Sequence, residues 1–332
     1  MEKLPIWGDI IPGNTGESKL TVIHPDESLS IEECMGMPGG IWDKSTPDII
    51  SMVGDDTVYW KTEVENGDSE ETFSDVPYIV PYIVEGAKKC VIVVPGGAYL
   101  FKSMDNEGED IAAFLNAAGI SCFVLWYRSY PYRSPYMYLD LQRAIRYVRY
   151  HASEYGIDPK QIATVGFSAG GNLAAMHAVS YGNKPIEEAG YSPDEIDKMD
   201  GQANAVGLIY PAVQIYEDKI IACIGGLDTF RNEEARKPFA LAHSMAGHID
   251  ANTPPLFLCN ALDDEVVPPA TLFEVIEEAH KKGVKCEVHM FPYGGHGFGG
   301  CVERPNPFGP APDFSAVNQW KELFVKWINN TL

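Results

Sequence analysis

The sequence predicts an α/β protein with a mostly parallel central sheet and helices on both of its faces. Three observations predict it. From residue 90 onward, apolar runs of strand length alternate with stretches at helical spacing. The first of those runs, Cys90 to Val94, is apolar throughout, as a strand buried on both faces is. A Gly-x-Ser-x-Gly motif stands where a later strand pattern switches to a helix pattern.

Residues 1–85 differ in texture from the rest. They are rich in Pro, Gly, Asp and Glu, with short β-type runs such as Thr57-Val58-Tyr59-Trp60 and Tyr78-Ile79-Val80. We expect an N-terminal extension here that packs on a sheet edge, joined in one structural unit to an α/β domain over 86–332. The polar stretch 63–75 reads as a surface loop. After the strand at 90–94, a helix is expected over 105–118, stopped by Gly119, and a strand over 120–126. Met137, Leu141, Ala144, Ile145 and Val148 then recur on one helical stripe. Arg143, Arg146 and Arg149 fall off that stripe and are expected on a solvated face. Further strands are expected at 162–165, 205–210, 256–260 and 285–291, with helices at 169–179, 270–282 and 314–329. The Pro- and Asp-rich insertion 183–201 breaks this rhythm and is expected to shape a pocket mouth.

The chain has 332 residues, with 25 Lys+Arg against 47 Asp+Glu, a formal net charge of −22. Such a surface repels phosphate backbones and anionic lipid, so neither nucleic acid nor membrane is an expected partner. A neutral ester or glycan suits it. Seven cysteines are scattered without a CxxC pair, which reads as a reducing compartment. No apolar run approaches the ~20 residues of a membrane helix, and the N-terminus lacks the apolar core of a secretory signal, so a cytoplasmic location is expected. There is no HExxH and no Cys/His ligand spacing, so neither metal nor cofactor is expected.

Gly166-Phe167-Ser168-Ala169-Gly170 makes Ser168 the candidate nucleophile. A sharp strand-to-helix turn lifts a serine above the sheet, and the helix N-terminus favours the negative charge that develops there. Of eight histidines, His296 stands apart. It sits in the glycine-rich loop Tyr293-Gly294-Gly295-His296-Gly297 after the last strand, where a base that comes last in the chain belongs. The acid should lie between them. Asp263, Asp264 and Glu265 follow the strand at 256–260, and spacing alone does not choose among them. Pro95-Gly96-Gly97-Ala98-Tyr99 follows the first core strand and suits an oxyanion loop, with Gly97 and Ala98 as backbone donors and Ala169 as the third.

With these motifs in this order, the chain from about residue 90 to 300 resembles the bacterial carbohydrate-esterase branch of the α/β hydrolases. That branch is acetylxylan-esterase-like and feruloyl-esterase-like and is associated with xylanases. The matching text is VVPGGAY, NEGEDIAAFLNAAGI, LWYRSYPY, DLQRAIRYVR, VGFSAGGNLAA, TPPLFL, DDEVVPP and FPYGGHGFG, with LPIW resembling the opening segment of that group. The resemblance implies the α/β-hydrolase fold and a serine carboxylesterase. It would act through an acyl-enzyme on short-chain esters, acetyl above all, of sugars or oligosaccharides. A D-x-x-V-P pattern ending at Pro268 implies Asp264 as the acid. The chain departs from the pattern at Asn172, where relatives carry histidine, at Ala98 in place of a third glycine, and at Pro269-Ala270-Thr271.

Tyr127, Tyr130, Tyr132, Tyr136 and Tyr138 cluster after a core strand. That cluster is a candidate platform for sugar or aryl rings, against the plainer reading of loop packing. Tyr99, Tyr127, Tyr130 and Glu107 are the candidate substrate contacts, with a helix cap as the plainer reading of Glu107. A broad-specificity aryl, feruloyl or short-chain carboxylesterase is the alternative function. A peptidase ranks behind it because the chain lacks room for a gating domain. A non-catalytic binding protein also ranks behind, because no triad member is lost.

Overall fold

The computed structural model describes residues 2–14, 21–23, 57–59, 62–65, 68–71, 76–99, 101–130, 132–215, 218–302 and 313–332. His24, Trp60 and parts of the 63–75 stretch lie outside them.

Eight strands form the central sheet: β1 (Leu4–Pro5), β2 (Tyr78–Tyr82), β3 (Cys90–Val94), β4 (Ser121–Trp126), β5 (Ile162–Phe167), β6 (Ala205–Ile209), β7 (Leu256–Ala261) and β8 (Cys286–Phe291). Their order across the sheet is β1-β2-β4-β3-β5-β6-β7-β8. The pairs β1·β2 and β2·β4 are antiparallel, and every other neighbouring pair is parallel. The helices are α1 (Asp110–Ala117), α2 (Tyr136–Tyr150), α3 (Ser168–Met176), α4 (Asp218–Gly225), α5 (Leu227–Arg231), α6 (Glu233–Ala242), α7 (Thr271–Lys282) and α8 (Trp320–Thr331). The mostly parallel α/β expectation holds.

Strand periodicity divides the interior in two. Along β3, Cys90, Ile92 and Val94 face one core with Leu141 and Ile145 of α2, Leu173 of α3 and Leu272 of α7. Val91 and Val93 face the other with Leu115 of α1 and Trp320 and Phe324 of α8. Helices therefore cover both faces, and the inner strands β3 to β7 are buried on both, which is why their sequences are largely apolar without alternation.

Several expectations need correction. The 63–75 stretch is not simply a loop: Thr62–Glu65 and Asp68–Glu71 pair antiparallel, and the second pairs with Lys102–Ser103. The helix expected from 105 opens as a wide turn, Asp105–Glu109, before α1. The helices α4 to α6 arise in a stretch to which the sequence pattern assigned none. Arg143 and Arg146 are not solvated. They are 1% and 7% exposed. Arg143 binds Asp194 at 2.5 Å and Asp197 at 2.9 Å, and Arg146 reaches Asp197 at 3.5 Å. Arg149 donates to the carbonyls of Pro159, Asp200 and Gln202. The three arginines thus moor the 183–201 insertion along the outer side of α2, from Glu188 beside Tyr136 to Asp200 beside Arg149. Its far end meets the start of β5, the edge opposite Ser168, through Asn204. The insertion buttresses α2.

The opening segment is tied to the same helix. Trp7 Nε1 donates to Asp140 Oδ1 at 2.8 Å, and Arg143 Nε donates to the carbonyl of Ile6 at 2.8 Å. Asp140 also accepts from Arg128 Nη2 at 2.7 Å, Nε at 2.9 Å and its backbone N–H at 3.0 Å, with both side chains fully buried. Removing one partner of such a pair strands a buried charge. Asp140→Ala is therefore expected to cost about 3–5 kcal/mol of stability, seen as a lower urea midpoint at unchanged denaturant slope.

His177, just past α3, is wholly buried, and burial pulls its imidazole from 6.5 down to about 3. The folded state therefore prefers the neutral ring. Its contribution is complete above pH 6.5 and is lost as pH falls from there toward 3. At pH 5 the loss is about 2 kcal/mol. Urea titrations at pH 7 and pH 5 check this. The wild type should lose about that much more between the two than His177→Gln does.

Candidate active site

β5 runs extended to Phe167, and α3 begins at the next residue with Ser168 at φ +50°. That left-handed conformation is costly for a residue with a Cβ, and it turns the Ser168 side chain out of the helix line. The turn is possible because the helix start approaches β3 closely. A Cβ on Gly170 would run into the carbonyl oxygens of Val94 and Pro95. Val94 pairs with Gly166 across β3·β5, so the Pro95-Gly96-Gly97 loop leaves the sheet level with Ser168.

The loop after β8 brings His296 over this turn. Its Nε2 lies 2.9 Å from Ser168 Oγ, and its Nδ1 lies 2.8 Å from Asp264 Oδ2. A carboxylate only accepts, so the Nδ1 nitrogen carries the proton and the Nε2 lone pair faces the serine hydroxyl. Asp264 is itself aimed. Its side chain is fully buried, and its Oδ1 accepts the N–H groups of Val266 at 2.9 Å and Val267 at 2.8 Å. The neighbouring Asp263 points outward and does something else. It accepts the N–H of Gly295 at 2.8 Å and of Gly294 at 3.3 Å, holding the histidine loop by its backbone.

Gly97, Ala98 and Tyr99 have φ of +131°, +54° and +62°. The Gly96 and Gly97 carbonyls are turned back to accept from Ser103 and Phe101. A Cβ on Gly96 would lie 2.9 Å from that of Ser168, so this loop borders the serine directly. Ala169 heads the first turn of α3, where N–H groups have no intrahelical acceptor. Gly97, Ala98 and Ala169 thus lie on the two segments that flank Ser168.

Tyr99, Tyr127 and Tyr130, the candidate substrate contacts, do not form a platform. Tyr99 is fully buried and its hydroxyl donates to Asn172 Oδ1 at 2.7 Å. Tyr127 is equally buried and its hydroxyl donates to the Pro95 carbonyl at 2.8 Å. Tyr130 is also buried, with its N–H on the Tyr99 carbonyl at 2.8 Å. Rings packed on all sides offer no face to a sugar; Tyr99 and Tyr127 instead support the Pro95–Ala98 loop from beneath. Asn172, the departure from the family pattern, is the hub of that support. It accepts from Tyr99 and Tyr138 and donates to the carbonyls of Ala212 and His243. Glu107 is 4% exposed, and it neither caps α1 nor faces a substrate. Its Oε2 accepts the Gly96 N–H at 2.5 Å and its Oε1 accepts the Tyr210 hydroxyl at 2.8 Å.

Tyr210 and Asn106 were missed by sequence reasoning. Tyr210 follows β6 at φ +35° and packs its ring 4.9 Å from that of His296. Burial, then Glu107, raises its hydroxyl well above the ordinary tyrosine value, so it remains a neutral donor. The only hint in sequence is a tyrosine ending a strand just before a proline. Among the described residues no group of three His, Cys, Asp or Glu side chains could hold a metal ion.

A family model, BD-FAE, matches residues 78–275, more than half of the chain, from β2 into the first turns of α7. The chain belongs to the BD-FAE family of α/β-hydrolase esterases. The matched span includes Ser168 and Asp264 and ends before His296. Among curated relatives, endo-1,4-beta-xylanase B of Butyrivibrio fibrisolvens is 28% identical over 82% of this chain and 41% of its own length. An acetylxylan esterase of Xylanibacter ruminicola is 27% identical over 64% of this chain and 41% of its own. The chain thus spans about two fifths of each of these relatives. The crystal structure of an acetyl ester-xyloside bifunctional hydrolase from Caldicellulosiruptor lactoaceticus superposes with a TM-score of 0.69. It is 27% identical, over 99% of this chain and 96% of that one.

Proposed function

We propose that this protein is a serine carboxylesterase that removes short acyl groups, acetyl foremost, from sugars or oligosaccharides. The observation that carries the chemistry is the run of two hydrogen bonds from Asp264 through His296 to Ser168. His296 Nε2 takes the hydroxyl proton as Ser168 Oγ attacks the ester carbonyl. Asp264 keeps the ring in the reactive tautomer and stabilises the imidazolium. The N–H groups of Gly97, Ala98 and Ala169 receive the oxyanion, each donor contributing ~3 kcal/mol to the transition state. The imidazolium returns its proton to the leaving sugar oxygen. Water, activated by the same ring, then releases the acid and frees the serine.

The acetyl-sugar assignment draws support from the relatives, an acetylxylan esterase and an acetyl ester-xyloside hydrolase. The strongly acidic chain, at −22, suits a neutral substrate better than an anionic one. Tyr99, Tyr127 and Tyr130 are buried and stack on neither a sugar nor an aromatic acid, so a feruloyl or other aryl ester is the second reading and the substrate panel decides between them. The scattered cysteines, with no CxxC pair in the sequence, suit a reducing, cytoplasmic setting. Acetate release from acetylated xylo-, manno- and cello-oligosaccharides, measured beside feruloyl and long-chain esters, tests the substrate. Faster turnover of either of the latter would overturn the acetyl-sugar assignment.

A further inference from the structure

Three loops meet at this site, and the sheet does not join them. The Gly96 loop follows β3, Tyr210 follows β6 and His296 follows β8, and none of these strands neighbours another of the three. Contacts outside the sheet must fix their mutual position. The turn Asp105–Glu109 supplies them. Glu107 accepts the Gly96 N–H with one oxygen and the Tyr210 hydroxyl with the other. The Tyr210 oxygen in turn accepts the N–H of Gly299, three residues beyond His296, at 2.9 Å. The adjacent Asn106 grips the same loop. Its Nδ2 donates to the Gly297 carbonyl at 2.8 Å, and its Oδ1 and backbone oxygen accept the Gly300 N–H at 3.1 and 2.9 Å.

We propose that Glu107, acting through the Tyr210 hydroxyl, is a positioning residue that sets the oxyanion loop and the His296 loop in a single register. This rests on the esterase reading of Ser168. The chain of donors has one sense: Gly299 to Tyr210, Tyr210 to Glu107, Gly96 to Glu107. Glu107 must accept twice, which a carboxylate does and an amide does not, since an amide turns an NH₂ toward one of the two donors. A shift of about 1 Å between base and oxyanion donors is enough to cost about 10²-fold in rate. Tyr210 is held against both His296 and Phe298, so its hydroxyl is placed by packing before any substrate arrives.

The test uses the full chain and p-nitrophenyl acetate, with kcat referred to the amount of Ser168 titrated to completion by diisopropyl fluorophosphate. Misfolded protein then drops out of the measurement. Glu107→Gln and Tyr210→Phe are each expected to lower kcat per titrated site about 10- to 100-fold, with KM changed less than about threefold. The double variant should lose no more than the worse single one, because both break the same link. Losses that multiply, or a Tyr210→Phe enzyme with wild-type kcat per site, would overturn the proposal. Should Glu107→Gln fail to fold, Tyr210→Phe decides alone, since it keeps the ring and removes one oxygen. A wild type that turns over no ester would instead remove the esterase reading itself.

Discussion

Ser168→Ala should lower kcat on p-nitrophenyl acetate by about a millionfold, the scale seen when a serine nucleophile is lost from an intact triad. The substitution deletes Oγ, the atom 2.9 Å from His296 Nε2, and leaves the acceptor without a proton to take. What survives is the binding of the ester and the backbone donors, so turnover stays above the rate in water. Folding should be untouched, because alanine meets the same φ of +50° that serine does. Turnover rates and thermal melts of both proteins check this. Loss of less than a factor of about ten in a well-folded variant would exclude an acyl-Ser168 intermediate.

Asp264→Asn should cost about 10⁴-fold in kcat. An asparagine in the same place can turn its NH₂ toward His296 Nδ1, which forces the proton onto Nε2 and removes the lone pair from Ser168. It also remains bonded to the N–H groups of Val266 and Val267 through its oxygen, so the loop persists and the loss is chemical. The adjacent Asp263→Asn is the control. One oxygen still serves Gly295, and the expected loss is no more than about tenfold. Steady-state kinetics of the two variants separates them, and the opposite ranking would exchange the two roles.

The parts of this site that could be read in the sequence are those whose signal is local. Ser168 stands inside five residues that switch period from strand to helix. His296 stands in a glycine-rich loop at a fixed place in the chain order. The inner strands β3 to β7 are legible because strands buried on both faces are largely apolar. What could not be read are pairings between distant residues. Arg143 looks like a solvated charge until Asp194 and Asp197, some fifty residues on, are folded against it. Tyr99 and Tyr127 look like a binding platform until Asn172 and Pro95 take their hydroxyls. Glu107 looks like a helix cap because its true partner, Tyr210, lies 103 residues away. Asp263 and Asp264 are adjacent in the chain, and only the backbone path separates a carboxylate that faces His296 from one that faces the loop's amides.

Five residues other than glycine have positive φ among those described: Ala98, Tyr99, Ser168, Tyr210 and Cys301. All belong to the loops around the serine. At roughly 1–3 kcal/mol each, they hold a sizeable share of the 5–15 kcal/mol by which a typical domain is stable. The protein is therefore divided against itself in an evolutionary sense. At Ala98, which has almost no side chain to lose, selection for heat resistance alone would favour a glycine, and the gain would loosen the geometry on which turnover depends. Lineages pressed toward both goals must look instead to the buttress along α2 and to the surface, where rigidity can grow without disarming the centre.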